Sequence, residues 1–241
     1  MFKNLIRRTL EGMGVQFALK KNLWYLDAFV IQKRLVTNDR PIIFDIGASE
    51  GSVTIKYKEM YPKASIHAFE PQPESFSKLK HLAESLDNVY TNNVALAHTR
   101  GVQKFYKTIG EASSSMLHGA TSGTFVDKHT VLSGAYEVTT ETLDNYTKSK
   151  EIDSINILKM DVQGYELQVL KGATRLLTEK KIDLIYSEVW FAGAYENQAF
   201  YEDIALYLRD FGYLSFGIYN MHWDTAINGK NLWADAIFIK R

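Results

Sequence analysis

Four apolar runs in this chain end in an acid: "IIFD" at Asp45, "IHAFE" at Glu70, "ILKMD" at Asp161 and "IYSE" at Glu188. An ionised carboxylate only accepts hydrogen bonds, so it can hold hydroxyls, balance a cation or take up a proton. The first acid leads into "IGASEG", residues 46–51. Gly47 and Gly51 allow a tight turn and a close backbone approach to a ligand, with Ala48 and Ser49 between them. The spacing differs from the G-x-G-x-x-G of a dinucleotide loop. A phosphate would also meet Glu50 and Asp45. The loop therefore favours a ligand with positive charge and no phosphate. Glu70 lies 19 residues beyond Gly51 and precedes Pro71. An acid there accepts hydrogen bonds from both hydroxyls of a ribose. Together these features describe an adenosine-bearing cofactor over the first two strands, with Asn93 near the adenine. S-adenosylmethionine has the ribose hydroxyls, the sulfonium and amine charges, and no phosphate.

The later acids concern an acceptor. "DVQGYE" places Asp161 three residues before Gly164 and Glu166 two residues after it. Candidate bases are Asp161, Glu166 and Glu188, with His222 in a late "NMHWD" loop. Asp161 is expected near the methionine end of the cofactor, and Glu166 and Glu188 toward the acceptor. Clustered carboxylates could also hold a hard divalent cation such as Mg²⁺, but the spacing assigns no ligand set. Trp190, Tyr165 and Trp223 form either a stacking wall for a sugar ring or ordinary core. "EASSSMLHGATSG" (111–123) is either a lid or a surface loop. Each acid also has a purely structural reading. Asp45 and Asp161 can cap helices, Glu70 can be a surface acid before a Pro turn, and Glu166 can sit favourably in a helix's first turn. Four acids ending four strands are harder to explain that way.

The elements that must position these groups follow from hydrophobic periodicity. Residues 2–36 read as a basic amphipathic helix that packs on the main domain, with a membrane surface as the alternative. Strands are expected at 42–47, 65–70, 88–96, 155–161 and 182–190, with helices at 52–61, 73–86, 141–150, 167–181 and 197–211. Strand-like "VQKFYK" and "YEVTTET" flank the polar stretch. Strands at 213–219 and 233–240 finish the chain with no helix between them. Repeated strand–helix units build a mostly parallel sheet with helices on both faces. The final pair, joined by a loop alone, makes the last strand antiparallel. Ligands in such sheets bind beyond the carboxyl ends of the strands.

Composition narrows the classes. The 28 basic and 28 acidic residues cancel, so there is no sequence-wide basic field and a nucleic-acid partner is not expected. With no cysteine, disulfides, thiolate metal sites and cysteine nucleophiles are excluded. No apolar run reaches the roughly 18 residues that span a bilayer, and the N-terminus lacks the features of a signal peptide. A cytoplasmic protein is expected.

The motifs resemble those of the FkbM family of S-adenosylmethionine-dependent methyltransferases over roughly residues 41–240. "FDIGASEG" is similar to the family's cofactor loop, "HAFEP" to its ribose-binding strand end, and "VTTETLDNY" to its T-x-x-L-D element. "ILKMDVQGYELQVLKGA" is similar to its K-x-D-x-E-G-x-E signature, and "IYSEV" to its fifth strand end. Ser49 stands where the family usually has Asn, and Gln163 where it usually has Glu. The resemblance implies an α/β class I methyltransferase fold: a Rossmann-like three-layer sandwich with a seven-stranded, mostly parallel sheet and an antiparallel last strand. It implies a helical extension over 1–40 and a methyltransferase domain over 41–241. It also implies O-methylation of a sugar, polysaccharide or secondary metabolite, with a small-molecule or glycan acceptor. The rival readings are an NAD-type dehydrogenase and a non-catalytic Rossmann-like binding domain. Oligomeric state is left open.

Overall fold

A computed structural model describes residues 24–109, 113–119, 131–224 and 230–241. Seven strands form the main sheet: β1 (Ile42–Ile46), β2 (Ser65–Phe69), β3 (Val89–Asn92), β7 (Ile155–Met160), β8 (Ile182–Trp190), β9 (Tyr213–Asp224) and β10 (Lys230–Lys240). Their order across the sheet is β3-β2-β1-β7-β8-β10-β9. All neighbours from β3 to β8 are parallel, and β10 runs antiparallel to both β8 and β9. This is the class I methyltransferase arrangement expected above. The order reverses between β1 and β7, which opens a crevice at their carboxyl ends.

The central strands are mostly apolar because helices cover both faces. On one face Phe44, Ile46, Phe69 and Leu158 pack against Leu143, Val169, Leu176 and Leu208. Those partners come from α4 (Leu143–Ser149), α5 (Glu166–Lys171), α6 (Thr174–Thr178) and α7 (Tyr201–Asp210). On the other face Ile43, Ile66 and Ile157 pack against Ala28, Ile31, Tyr57 and Tyr61. These belong to α1 (Ala28–Leu35) and to α2 (Ser52–Met60) and its end. Leu79 of α3 (Pro73–Ala83) covers Ala48 and Ala68 beside them.

Several details differ from the sequence reading. A single helix over 2–36 is not found in its described part. Asp27 accepts hydrogen bonds from Phe29 N and Val30 N, so α1 starts afresh there. Residues 1–23, including the membrane-surface reading, lie outside the described residues. The third strand stops at Asn92. Ala95–Leu96 (β4) then joins a second sheet of order β4-β6-β5, built with β5 (Gly101–Thr108) and β6 (Leu132–Glu141). The two strand-like stretches around the polar segment thus pair with each other, antiparallel. The helix expected over 167–181 divides into α5 and α6 at Gly172, because the chain there presses on Ala97. Finally "NMHWD" is strand, not loop: β9 continues to Asp224 and His222 pairs with Trp233. Register shifts along β9 and β10 break the alternation that would have marked it. Among the described residues no helix is long and apolar enough to cross a membrane.

A Cβ on Gly172 would lie 2.1 Å from Ala97 O, whereas one on Gly134 would meet nothing within 4 Å. Gly172→Ala is therefore expected to cost roughly 1–3 kcal/mol in urea unfolding. Gly134→Ala should stay within about 0.5 kcal/mol of wild type. Equal effects would show that the α5–β4 contact is not tight.

Candidate active site

The site is organised by a buried ion pair. Lys159 Nζ lies 2.9 Å from Asp45 Oδ1, and both side chains are almost wholly buried. Thr54 Oγ1 donates to Asp45 Oδ2 at 2.6 Å. Lys159 also donates to Gly47 O at 2.8 Å and to Ile46 O at 3.2 Å. Burial works against the lysine's charge, but Asp45, Asp161 and Glu70 outweigh it and raise its pKa. The ammonium therefore fixes the path of the loop after β1. Gly47 takes φ +70° there, and a Cβ on it would lie 1.8 Å from Asp161 O. Only glycine permits this closeness of the two strand ends.

Above this floor is a cleft of about 130 Å³. One end is Glu70 with Pro71, Gln72 and Ser75; the other is Asp161 with Val162 and Gln163. Gly47 and Ser49 lie between, and the lining is completed by Phe105 of the second sheet and Ser114 of the segment that follows β5. Glu70 is oriented by two amides: Ser49 N donates to Oε2 at 2.9 Å and Gln72 N to Oε1 at 2.8 Å. Each oxygen keeps a lone pair for a ligand hydroxyl. Burial raises the Glu70 pKa, against those two hydrogen bonds.

The other expected residues divide between the wall and its support. Asp45 lies beneath the cleft, fully buried. Ala48 is in the core, and its N–H, like that of Gly47, donates to Phe69 O. Gly51 starts α2, and a Cβ there would strike Leu82. Asn93 Nδ2 donates to Glu70 O at 2.9 Å and to Pro71 O at 3.1 Å, pinning the turn from behind. These four therefore shape the cleft instead of lining it.

At the acidic end Gln163 is the centre. Its backbone has φ +56°, and its Nε2 donates to Asp161 Oδ1 at 2.8 Å and to Glu188 Oε2 at 3.1 Å. Its Oε1 accepts from Tyr195 OH at 3.0 Å, and its backbone oxygen accepts from Ser115 Oγ at 2.8 Å. Glu188 Oε2 also accepts from Trp190 Nε1 at 3.0 Å. Glu166, expected to face the acceptor, is fully buried. Its Oε1 instead accepts from Val162 N at 2.9 Å and Gly164 N at 3.3 Å, holding the loop before α5. Burial raises its pKa to about 7, with Asp161 adding to the effect. Burial, then Asp161, Glu166 and Asp235, push Glu188 well above the ordinary carboxyl range.

His222 is not brought into this cluster. It is exposed, and its ring stacks on Trp233 at 4.7 Å. Trp233 in turn lies 5.4 Å from Trp190. The stacking wall is not assembled either. Tyr165 is core and bonds Gln103, while Trp223 is exposed on β9. Among the described residues no three acids or histidines are arranged to hold a metal ion.

Sequence reasoning missed Lys159, Tyr195, Gln72, Ser75, Phe105 and Ser114, and noted Gln163 only as a departure. Lys159 had a signal: a lone cation inside the apolar run "ILKMD" needs a buried acid. Phe105 and Ser114 had none, because the second sheet brings them in from a distance.

The fold and the strand-end cleft define a class I methyltransferase. The family model described as "Methyltransferase FkbM domain" matches residues 45–215, and the chain belongs to that family. It is 28% identical over 172 residues to the 2-O-methyltransferase NoeI of Sinorhizobium fredii, an alignment covering 68% of this chain and 69% of that protein. It is 30% identical over 137 residues to the hexuronic acid methyltransferase AglP of Haloferax volcanii, covering 56% of this chain and 51% of that one. Among solved structures, M. capricolum TrmK in complex with S-adenosyl-homocysteine aligns with a TM-score of 0.49 at 12% identity, covering 88% of this chain and 66% of that one.

Two outcomes follow from the buried charges. Lys159→Met leaves Asp45 buried without its cation and should cost roughly 3–5 kcal/mol by urea unfolding. A loss below about 1 kcal/mol would show that the pair does not hold the floor. Glu166 titrates near 7 when folded and near 4.5 in its ordinary state. Between those values the native state holds a proton that the unfolded chain has lost, so stability falls as pH rises. Glu166→Gln should remove that loss, gaining on the order of 2–3 kcal/mol relative to wild type between pH 4.5 and pH 8. A pH-independent difference would mean that Glu166 is not held in its protonated form.

Proposed function

We propose that the chain is an S-adenosylmethionine-dependent O-methyltransferase acting on a hydroxyl of a sugar, polysaccharide or secondary metabolite. The observation that carries this reading is the cleft itself. A pre-oriented carboxylate, Glu70, stands at one end and an acidic floor at the other, across a glycine turn too tight for any side chain. Glu70 would hold the ribose hydroxyls. Asp161 would face the cationic methionine end, beside Gly47 and Ser49. NoeI and AglP, named for 2-O- and hexuronic acid methylation, support a glycan acceptor.

When bound, S-adenosylmethionine supplies a methyl group already activated on a sulfonium. The work left to the protein is alignment and removal of one proton from the acceptor. Glu188 is the base in this reading. Its Oε2 is occupied by Gln163 and Trp190, while Oε1 makes no hydrogen bond to any described residue. Its raised pKa gives it the proton affinity that a hydroxyl's base needs. Glu166 is set aside because it is wholly buried beneath its loop and is not among the residues lining the cleft.

The dehydrogenase reading has less support. The N–H groups of Gly47 and Ala48, which would face a pyrophosphate, both donate to Phe69 O. The non-catalytic reading predicts no transfer at all.

Calorimetry with S-adenosylhomocysteine tests the cofactor assignment. Wild type should bind, and Glu70→Ala should bind at least about tenfold more weakly. Glu70→Gln, which keeps an acceptor for one of the two amides, separates lost binding from lost folding. Labelled methyl transfer to a panel of neutral and acidic glycosides then tests the chemistry. Stabilisation by NADH without binding of S-adenosylhomocysteine would overturn the reading.

A further inference from the structure

We propose that Gln163 is a positioning residue: its amide clamps one oxygen of Glu188 and one of Asp161, leaving Glu188 Oε1 as the oxygen that exchanges a proton with the acceptor. The proposal rests on the methyltransferase reading and adds a role for a side chain that the family signature usually fills with an acid.

The geometry leaves the amide little freedom. Both N–H groups donate to carboxylate oxygens, at 2.8 Å and 3.1 Å, and the carbonyl accepts from Tyr195 OH at 3.0 Å. The flipped amide would turn its oxygen toward two carboxylates, which favours the orientation with Nε2 on them; Tyr195 OH shares its single proton between Ser113 O at 2.8 Å and Gln163 Oε1 at 3.0 Å. The backbone is fixed as well. Its carbonyl is tied to Ser115, and its φ of +56° is a conformation that non-glycine residues adopt at a cost. A side chain held this fully can hold its partners in place.

The amide also has the right charge. A carboxylate at this position would put three acids within hydrogen-bond distance of one another, and one would have to keep a proton. A neutral donor avoids this. It satisfies Glu188 Oε2 jointly with Trp190 and favours the ionised form of Glu188. The groups that face Glu188 are otherwise acidic or neutral: Asp161 after β7, Glu166 on α5, Asp235 opposite it on β10, and Tyr195 from the loop after β8. Tyr186, two residues earlier on β8, is bonded to Asp235. The nearby cation Lys159 is committed to Asp45 and two carbonyls. Gln163 and Trp190 are therefore the donors that support a charge on Glu188 from among the described residues.

The test needs no acceptor. Because the amide stabilises ionised Glu188 more than protonated Glu188, its contribution to stability must grow as pH rises through the Glu188 titration. Gln163→Met keeps the length and removes the donors. The difference in urea midpoint between wild type and Gln163→Met should widen from pH 5 to pH 9. In a Glu188→Gln background the widening should disappear. A difference flat with pH, or the same widening without Glu188, would overturn the proposal. If Gln163→Met does not fold, Gln163→Ser gives the same comparison. S-adenosylhomocysteine calorimetry on the same proteins separates the two ideas. Failure of wild type to bind overturns the methyltransferase assignment, whereas the pH cycle judges the clamp. With an active glycoside from the panel, Gln163→Met should move the acidic limb of kcat/KM upward by about one pH unit; an unmoved limb would also overturn the proposal.

Discussion

The Asp45–Lys159 ion pair is the constraint from which the site follows. Two opposite charges are buried at the point where the strand order reverses, with Thr54 and two backbone carbonyls completing their hydrogen bonds. Such a pair adds little net stability over an apolar replacement, but removing one partner is costly. Its value here is geometric. Lys159 draws the carbonyls of Ile46 and Gly47 toward β7, so the loop after β1 cannot drift. Gly47 then sits against Asp161 O, and the two strand ends close to a distance that any Cβ would prevent. Glu70 completes the arrangement by binding Ser49 N from the neighbouring strand. The cleft is thus fixed from three strands by contacts made almost entirely below or behind it.

Once the floor is fixed, the fate of each acid depends on its surroundings. Glu166 folds back on the loop amides and keeps a high proton affinity. Glu188 stands in a similarly buried place, and one of its oxygens is likewise held by two donors, but these are side chains from other segments, Gln163 and Trp190. Two glutamates of the same kind therefore have different chemistry, because one has its amides on its own loop and the other is served by Gln163 and Trp190. Type and spacing alone made them look equivalent.

This difference also shows what the sequence could reveal. The seven strands of the main sheet, the antiparallel end and the acids near the strand ends were legible, because apolar periodicity and strand-end residues are local signals. Glu70 and Asp161 directly follow β2 and β7 and line the cleft. Asp45 carried the same local signal but points into the core, where Lys159 waits for it. Distinguishing a lining acid from a buried one required knowing which cation lay opposite. The division of one expected helix at Gly172 depended on contact with Ala97, 75 positions earlier. His222 looked like a loop residue because the bulges of β9 and β10 erase alternation.

The least legible part is also the part that closes the site. Segment 113–119 crosses from the second sheet to the loop after β8. Ser115 pairs with Tyr106 on one side, and Glu196 N donates to His118 O on the other. Between these ends Ser115 Oγ reaches Gln163 O, and Ser113 O receives the Tyr195 hydroxyl. The strap is therefore tied to the backbone of the residue whose side-chain amide holds the two carboxylates. The Rossmann-like sheet supplies the floor of the cleft, and Ser114 of this segment lines it together with Phe105 of the second sheet. Any change in how the strap seats must act on Gln163, and through it on both carboxylates. Gln163, the two carboxylates and the strap therefore form one connected unit, built from segments far apart in the chain and not from the strand-end signature alone.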